Sequence, residues 1–447
     1  MPHPEPTSPI PAALPPPTEA KERPWLGSSP GTADADLPKV SPRYVFLLVL
    51  ASLGTWMAYV APMSYSLTIR LHQIAPGHAE YLGYLTGIGG VVSLVLNPFV
   101  GVLSDRTRSR LGRRRPYLIA GTLAGLAALL VLAVAPNVAL LGAGWVLAVI
   151  GWQTVMAAIT TLQADKLPEH QRGKVSGITG LAQMVASALG VAVATTLVGN
   201  NLLLLLVPGL IGLLLVLPLA VRPQDPDGRT ITLPEDKIGI RLLFAKYLFD
   251  PRRHRDFAWN WLGRFVFYIG MTFNTTYLAF FLAQRLGVSV ERIGGTITAI
   301  SGAGVLATML GALAGGILSD RLRRRRLFVL LSGLLFCVGA LLMVSSPSFA
   351  VLVAGSALTS LALGMFSAVD QAVVLDVLPS RAEAGRFIGI VNYAQQIPHA
   401  VAPLAASVLL GIGAAGDEKN YSVLYLAGGA LTLIGGLIVM VKVKGSR

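Results

Sequence analysis

Twelve apolar runs, most of them about 20 residues long, constrain this chain more than any other feature. A helix rises about 1.5 Å per residue, so a run of that length crosses the hydrocarbon core of a bilayer. The pattern predicts spans over about 44–67, 81–104, 117–135, 138–162, 174–198 and 202–221. A second set follows over about 257–284, 293–318, 327–345, 349–375, 386–412 and 421–441. Charged residues are only 13% of the chain, about half the share of a soluble domain. The fold class predicted is an all-α integral membrane protein whose solvent is lipid.

The charges that do exist are not scattered. Gly101–Pro116 reads GVLSDRTRSRLGRRRP and holds Arg106, Arg108, Arg110, Arg113, Arg114 and Arg115 with a single acid, Asp105. A shorter copy, GILSDRLRRRR, occupies Gly316–Arg326. With both termini on the same side, all but five of the 36 Lys and Arg fall on that side. The exceptions are Arg70, Arg285, Arg292 and Lys419 opposite, and Arg264 within a span. Basic loops stay in the cytoplasm, so a multi-pass protein of the cell (inner or plasma) membrane with cytoplasmic termini is expected. The net charge of +14 does not point to nucleic acid, because the basic residues flank spans and form no single solvated face. The first 40 residues hold eleven prolines and no apolar core of a signal peptide, which reads as a disordered tail. One cysteine, Cys337, excludes an internal disulfide or a multi-cysteine metal site.

The chain also repeats itself. GVLSDR at 101–106 matches GILSDR at 316–321. Asp165-Lys-Leu-Pro168 matches Asp376-Val-Leu-Pro379, and Gln183 aligns with Gln395 in a third match. Three matches in one order at nearly one offset imply two pseudo-symmetric six-helix bundles. The expected organisation is a tail over 1–43, bundles over 44–221 and 257–442, a linker over 222–256, and a short tail over 443–447. Within the linker, apolar and basic residues alternate from Lys237 to Leu248, consistent with either a helix lying on the membrane surface or a tethered loop. Six helices per half make the repeat parallel, and transporters built this way hold substrate between the halves near the midplane.

Twelve helices in two parallel halves, with G-x-x-x-D-R and a trailing basic cluster between the second and third, resemble the major facilitator superfamily. The longer form DRTRSRLGRRRPY at 105–117 resembles the glycoside–pentoside–hexuronide:cation symporters and the related sucrose–proton symporters. The resemblance implies alternating access with a co-transported cation, proton first and Na+ second, and no bound cofactor. It also implies that helices 1, 4, 7 and 10 line a central cavity. Carriers of that branch generally hold acids within the first half's helices, and here helices 1, 2, 4 and 5 carry none away from their ends.

A charge at bilayer depth suggests function by default. Two stand clear, Arg264 in helix 7 and Asp370 in helix 10, each six or seven residues inside the basic end of its span. They are read either as a structural ion pair or as a working pair that links proton binding to substrate binding. The repeat places Ile159 where Asp370 falls, so the fold does not demand the acid. His399 in helix 11 is read as a titrating group or a structural one. Asn392 and Gln395 beside it, with Tyr59, Trp152, Gln153 and Asn274, offer hydrogen bonds or aromatic faces to a sugar. Packing is the other reading of each.

By the family resemblance, Asp105 caps the start of helix 11 and Asp320 that of helix 5, latching the outward-open state through the helix dipole. Gly101, Arg106, Gly112 and Arg113 complete that motif, and Gly316 and Arg321 its copy. The glycines at 101 and 316 are expected to let helices approach closely. The function expected is proton-coupled uptake of a sugar or glycoside by a monomer in the bilayer. A proton-antiport exporter of amphipathic compounds is the alternative, and a non-transporting membrane sensor the reading from another class. No intramembrane Ser/His/Asp set or metal cluster supports an enzyme.

Overall fold

The computed structural model describes residues 39–222, 249–380, 383–411 and 419–446. Most of the Pro-rich tail and the Lys237–Leu248 segment lie outside the described residues. Everything described is helix or connection, as lipid requires of a backbone that must satisfy its own hydrogen bonds.

The first bundle comprises α1 (Pro42–Ile74), α2 (Glu80–Asp105), α3 (Arg115–Val134), α4 (Val138–Lys166), α5 (Glu169–Thr195) and α6 (Asn201–Val221). The second comprises α7 (Arg255–Thr276, continued as Leu278–Leu286), α8 (Gly294–Leu322), α9 (Arg325–Ser345), α10 (Phe349–Asp376), α11 (Ala384–Leu409) and α12 (Tyr421–Lys442). Among the described residues ten helices are long and apolar enough to cross a membrane, eleven if the bent α7 is one span. The twelfth, α11, is 26 residues long, ample for a bilayer. Its amides and His399 lower its apolarity.

Local chemistry fixes the starts. Ser41 caps α1, with Pro42 at the first helical position. Asn137, Asn200 and Asn420 accept backbone N–H groups at the starts of α4, α6 and α12. Such caps satisfy donors that lipid cannot. Two spans differ from the sequence reading. α1 continues to Ile74 through a π-helical turn at Pro62–Ser66, because proline removes a backbone donor without ending the helix. The extension carries Arg70, whose guanidinium donates to the carbonyls of Leu132 and Ala135 at the end of α3. α7 bends by 52° at Tyr277.

Within each bundle the packing repeats. α1 lies on α4, α5 and α6 as α7 lies on α10, α11 and α12, and α3 meets α4 and α6 as α9 meets α10 and α12. The bundles meet along two seams, α2 with α11 and α5 with α8.

Both seams close at the end remote from the arginine-rich loops. A Cβ at Gly90 would lie 2.5 Å from Ala400 Cα and 2.7 Å from the His399 carbonyl oxygen. Gly87 sits equally tightly against Leu404, and Gly83 against Pro403 and Ser407. Ser407 donates to the Glu80 carbonyl at 2.9 Å, the Tyr277 and Ser407 hydroxyls bond at 2.9 Å, and Lys419 pairs with Glu80 at 3.0 Å. On the other seam Thr195 bonds Thr298 at 3.1 Å. Toward the basic end the seams part. Among the described residues, Gly101 of α2, Gly173, Gly177 and Gly180 of α5, and Gly385 of α11 have nothing within 4 Å of a Cβ placed there. The chain is therefore closed at the far end and open at the basic end.

Candidate translocation site

Arg264 and Asp370 meet. Arg264 Nη1 donates to Asp370 Oδ2, joining α7 to α10 in the second bundle. Arg264 is 6% exposed and Asp370 0%, so both charges are desolvated and balance one another, the condition under which buried charges persist. Two further contacts hold the guanidinium. Its Nη2 donates to Gln395 Oε1 of α11 at 3.5 Å, and its carbon lies 5.4 Å from the centre of the Tyr268 ring, within cation–π range. One turn deeper, His399 Nδ1 lies 3.4 Å from Thr272 Oγ1, and its ring is 6.1 Å from that of Tyr268. Three helices thus converge on one polar cluster. Asn392 is exposed on α11, one turn toward the basic end from Gln395.

The first bundle faces this cluster with fewer groups. Gln153 Nε2 of α4 donates to Ser93 Oγ of α2 at 2.8 Å. Ser93 is one turn along α2 from Gly90, the point at which α2 touches the His399 carbonyl. Gln153 and Ser93 therefore stand across the seam from His399, just on the open side of the closed gate. Tyr59 of α1 stacks on Trp145 with ring centres 5.9 Å apart; Trp145 in turn packs on Gly89.

Two expected members lie elsewhere. Trp152 is fully buried against Gly125 of α3 and serves as packing inside the first bundle. Asn274 turns its amide oxygen onto Gly428 of α12, away from the seam. α4 is apolar on almost every side, and Thr272, Asn274, Thr275 and Thr276 spread around α7, so composition does not fix which of these side chains looks inward.

The gating motifs also take a different form. Among the described residues, Asp105 does not reach α11, and Asp320 does not reach α5. Arg114 donates through Nη2 to Asp105 at 2.6 Å and through Nε to Asp165 at 3.0 Å, with Nη1 on Ser104 Oγ. In the second bundle Arg325 binds Asp320 at 2.9 Å and Asp376 at 2.7 Å. The reason is the open basic end, which leaves each carboxylate only its own bundle to bind. Gly101 and Gly316 accordingly make no close helix contact among the described residues. Gly112 adopts φ +84°, a left-handed turn that glycine alone enters without strain. Arg114, 2% exposed, does the bridging, whereas of its neighbours the sequence reading named Arg113 for the motif. Arg106 is half-buried and Arg321 exposed.

Burial disfavours the charged form of Arg114, but Asp165 and Asp105 outweigh it and raise its pKa. The sequence held a signal for these triads: Asp165 and Asp376 are paired by the repeat, at the offset that also pairs Arg114 with Arg325. Arg114→Gln is expected to lower the melting temperature, and Arg114→Lys to fail as a rescue. A single ammonium cannot span two carboxylates and a hydroxyl in the planar fork of arginine. Thermal unfolding of the purified protein checks this, and full rescue by lysine would refute the bridging role.

Comparison with known proteins agrees with the geometry. The sequence pattern of the Major Facilitator Superfamily matches residues 6–190, 44–308 and 261–447. A 110-residue stretch is 31% identical to a general alpha-glucoside permease of Schizosaccharomyces pombe, covering 23% of this chain and 18% of that one. The crystal structure of the nucleoside transporter NupG superposes with a TM-score of 0.71 at 10% identity, over 90% of this chain and 98% of that one. The xylose transporter XylE from E. coli, in a partially occluded inward-open conformation, gives 0.62 at 12% identity, over 88% and 97%. A family pattern found in both halves, on two six-helix bundles seamed through α2–α11 and α5–α8, identifies the chain as a member of the Major Facilitator Superfamily, a multi-pass membrane transporter and not an enzyme.

Proposed function

We propose that this transporter takes up a sugar or glycoside together with a proton, and that the Arg264–Asp370 pair couples the two. The observation that carries the reading is the pair itself: a desolvated acid and base beside the seam, joined to Gln395 and Tyr268. A guanidinium beside the carboxylate repels a sodium ion but tolerates a proton, so the proton is the coupling ion. When Asp370 is protonated, Arg264 loses its counter-charge and turns to substrate oxygen atoms. When substrate leaves, the pair re-forms and releases the proton.

Substrate class rests on the lining and on one relative. Tyr59, Gln153, Gln395 and Asn392 supply hydroxyl, amide and ring surfaces of the kind that hold a sugar's O–H and C–H faces. The partial match to a general alpha-glucoside permease supports the same class. The basic end is cytoplasmic on this reading, the membrane is the cell membrane, and the structure is the inward-open state. Asp105 and Asp320 leave their arginines for the starts of α11 and α5 when the basic end closes. One copy of the chain is the working unit.

Reconstitution tests the proposal. Proteoliposomes given a panel of labelled α-glucosides, other sugars and nucleosides are expected to accumulate a glucoside or sugar only under an inward proton gradient. Accumulation indifferent to pH would refute the coupling, and accumulation of nucleosides alone would refute the substrate class.

A further inference from the structure

Asp370 is shut off from the open cavity, and its proton must still leave toward the basic end. Arg264 occupies its Oδ2, while Oδ1 is buried without a partner among the described residues. Toward the basic end, polar groups recur along one face of α7. Asp256, Asn260 and Arg264 recur every four residues, which stacks them on that face at steps of about 6 Å. Asn260 is 0% exposed. Among the described residues both its amide oxygen and its amide nitrogen lack a hydrogen-bond partner, as does Arg264 Nε.

The register of α7 against α10 fixes where Asn260 lies. Phe267 stacks on Phe366 at 3.6 Å and Arg264 meets Asp370, so the helices run antiparallel. The next turn puts Asn260 level with Val373 and Val374, both buried. A buried amide in such surroundings destabilises the fold if left unsatisfied. It is of no use to packing there, where a leucine would serve better. Below it, Asp256 Oδ2 accepts the Gly445 N–H at 2.6 Å, and Ser446 Oγ donates to Asp376 at 2.7 Å. The C-terminal segment thus roofs the basic end of the same track.

We propose that Asn260 is a positioning residue for proton release: it carries water between Asp370 Oδ1 and Asp256 at the basic end, through a track between α7 and α10. The step is a proton transfer alone. In uptake the Oδ1–H proton passes to the water held at Asn260 and on to the basic side, leaving Asp370 a carboxylate; the same relay run in reverse protonates Oδ1 when the basic side is acidified. The charged groups around the track are Asp256 and Arg264 of α7, Asp370 and Asp376 of α10, and Arg325 of α9, held on Asp376. α11 contributes Gln395 at this level, with His399 a turn deeper beside Tyr268. From α12, Lys442 lies over Trp259 at 5.4 Å. Asn260 is the uncharged link among them.

The inference rests on reading Asp370 as a proton acceptor, and its test needs no substrate. Full-length protein in lipid nanodiscs is shifted rapidly from neutral to acidic D2O, and the rise of the protonated-carboxyl infrared band is timed. The band is assigned to Asp370 by its loss in Asp370→Asn. Asn260→Leu is expected to slow that rise about tenfold or more while raising thermal stability. Asn260→Ser, which keeps a water-binding hydroxyl, is expected to restore most of the rate. An unchanged rate in Asn260→Leu overturns the proposal whatever happens to stability, and so does the absence of any Asp370 band in the unmodified protein. Slowed protonation in a protein whose transport ignores pH would leave the track standing and refute only the coupling reading.

Discussion

Asp370→Asn is expected to destabilise the protein more than Arg264→Gln does, and the double variant to recover most of the loss. The reason is an asymmetry between the partners. Asn at 370 strands a guanidinium that is 6% exposed, and arginine cannot shed its proton. Breaking a buried pair in this way costs about 3–5 kcal/mol. Gln at 264 strands a carboxylate instead, and a carboxylate can neutralise itself by binding a proton. With both charges gone, two amides face each other and no charge is left unpaired, a replacement that is often near neutral for stability. Thermal melting of the three purified variants reads the order directly. Equal losses in all three would mean that packing, not charge balance, sets the cost.

The second large effect lies at the closed seam. Gly90→Val is expected to abolish transport in a protein that folds and melts normally. The added Cβ alone would sit 2.5 Å from Ala400 Cα and 2.7 Å from the His399 oxygen, and neither backbone atom can yield as a flexible side chain can. The far end then cannot close, and the molecule is held open there. Gly101→Val is the control: among the described residues Gly101 has nothing within 4 Å of a Cβ here, so the basic-end-open state accommodates it. Spin labels placed across each end, in a Cys337→Ser background, measure the two separations. A distance across the far end unchanged by Gly90→Val would refute the role of the glycine contacts in closure.

The twelve spans, the two halves and the shared depth of Arg264 and Asp370 were legible in the sequence for physical reasons, whereas their pairing was not. Lipid demands long apolar runs, duplication leaves its spacing behind, and a charge at bilayer depth is too costly to be incidental. Helical phase was not legible. α4 is apolar on almost every side, and around Asn274 the polar residues of α7 keep to no single face, so Trp152 and Asn274 gave no sign that they pack within a bundle. Nor could 48 glycines announce which three, at 83, 87 and 90, hold the seam, because close approach depends on the partner helix. Arg114 was hidden among its arginine neighbours: Arg113 and Arg115 are its equals in type, and which one faces inward depends on how the loop folds after the left-handed turn at Gly112. Asn260 had a weaker signal, the four-residue spacing from Asp256 to Arg264, which a search for charges alone passes over.

The most direct test of the central claim records interior pH and labelled α-glucoside together in proteoliposomes, with no gradient imposed at the start. Adding substrate outside is expected to acidify the interior of vesicles carrying the unmodified protein, as each sugar brings a proton with it. Vesicles carrying Asp370→Asn are expected to let substrate equilibrate with no change in pH. Substrate entry through the unmodified protein without acidification, or equal acidification through Asp370→Asn, would contradict the assignment of Arg264 and Asp370 as the coupling pair.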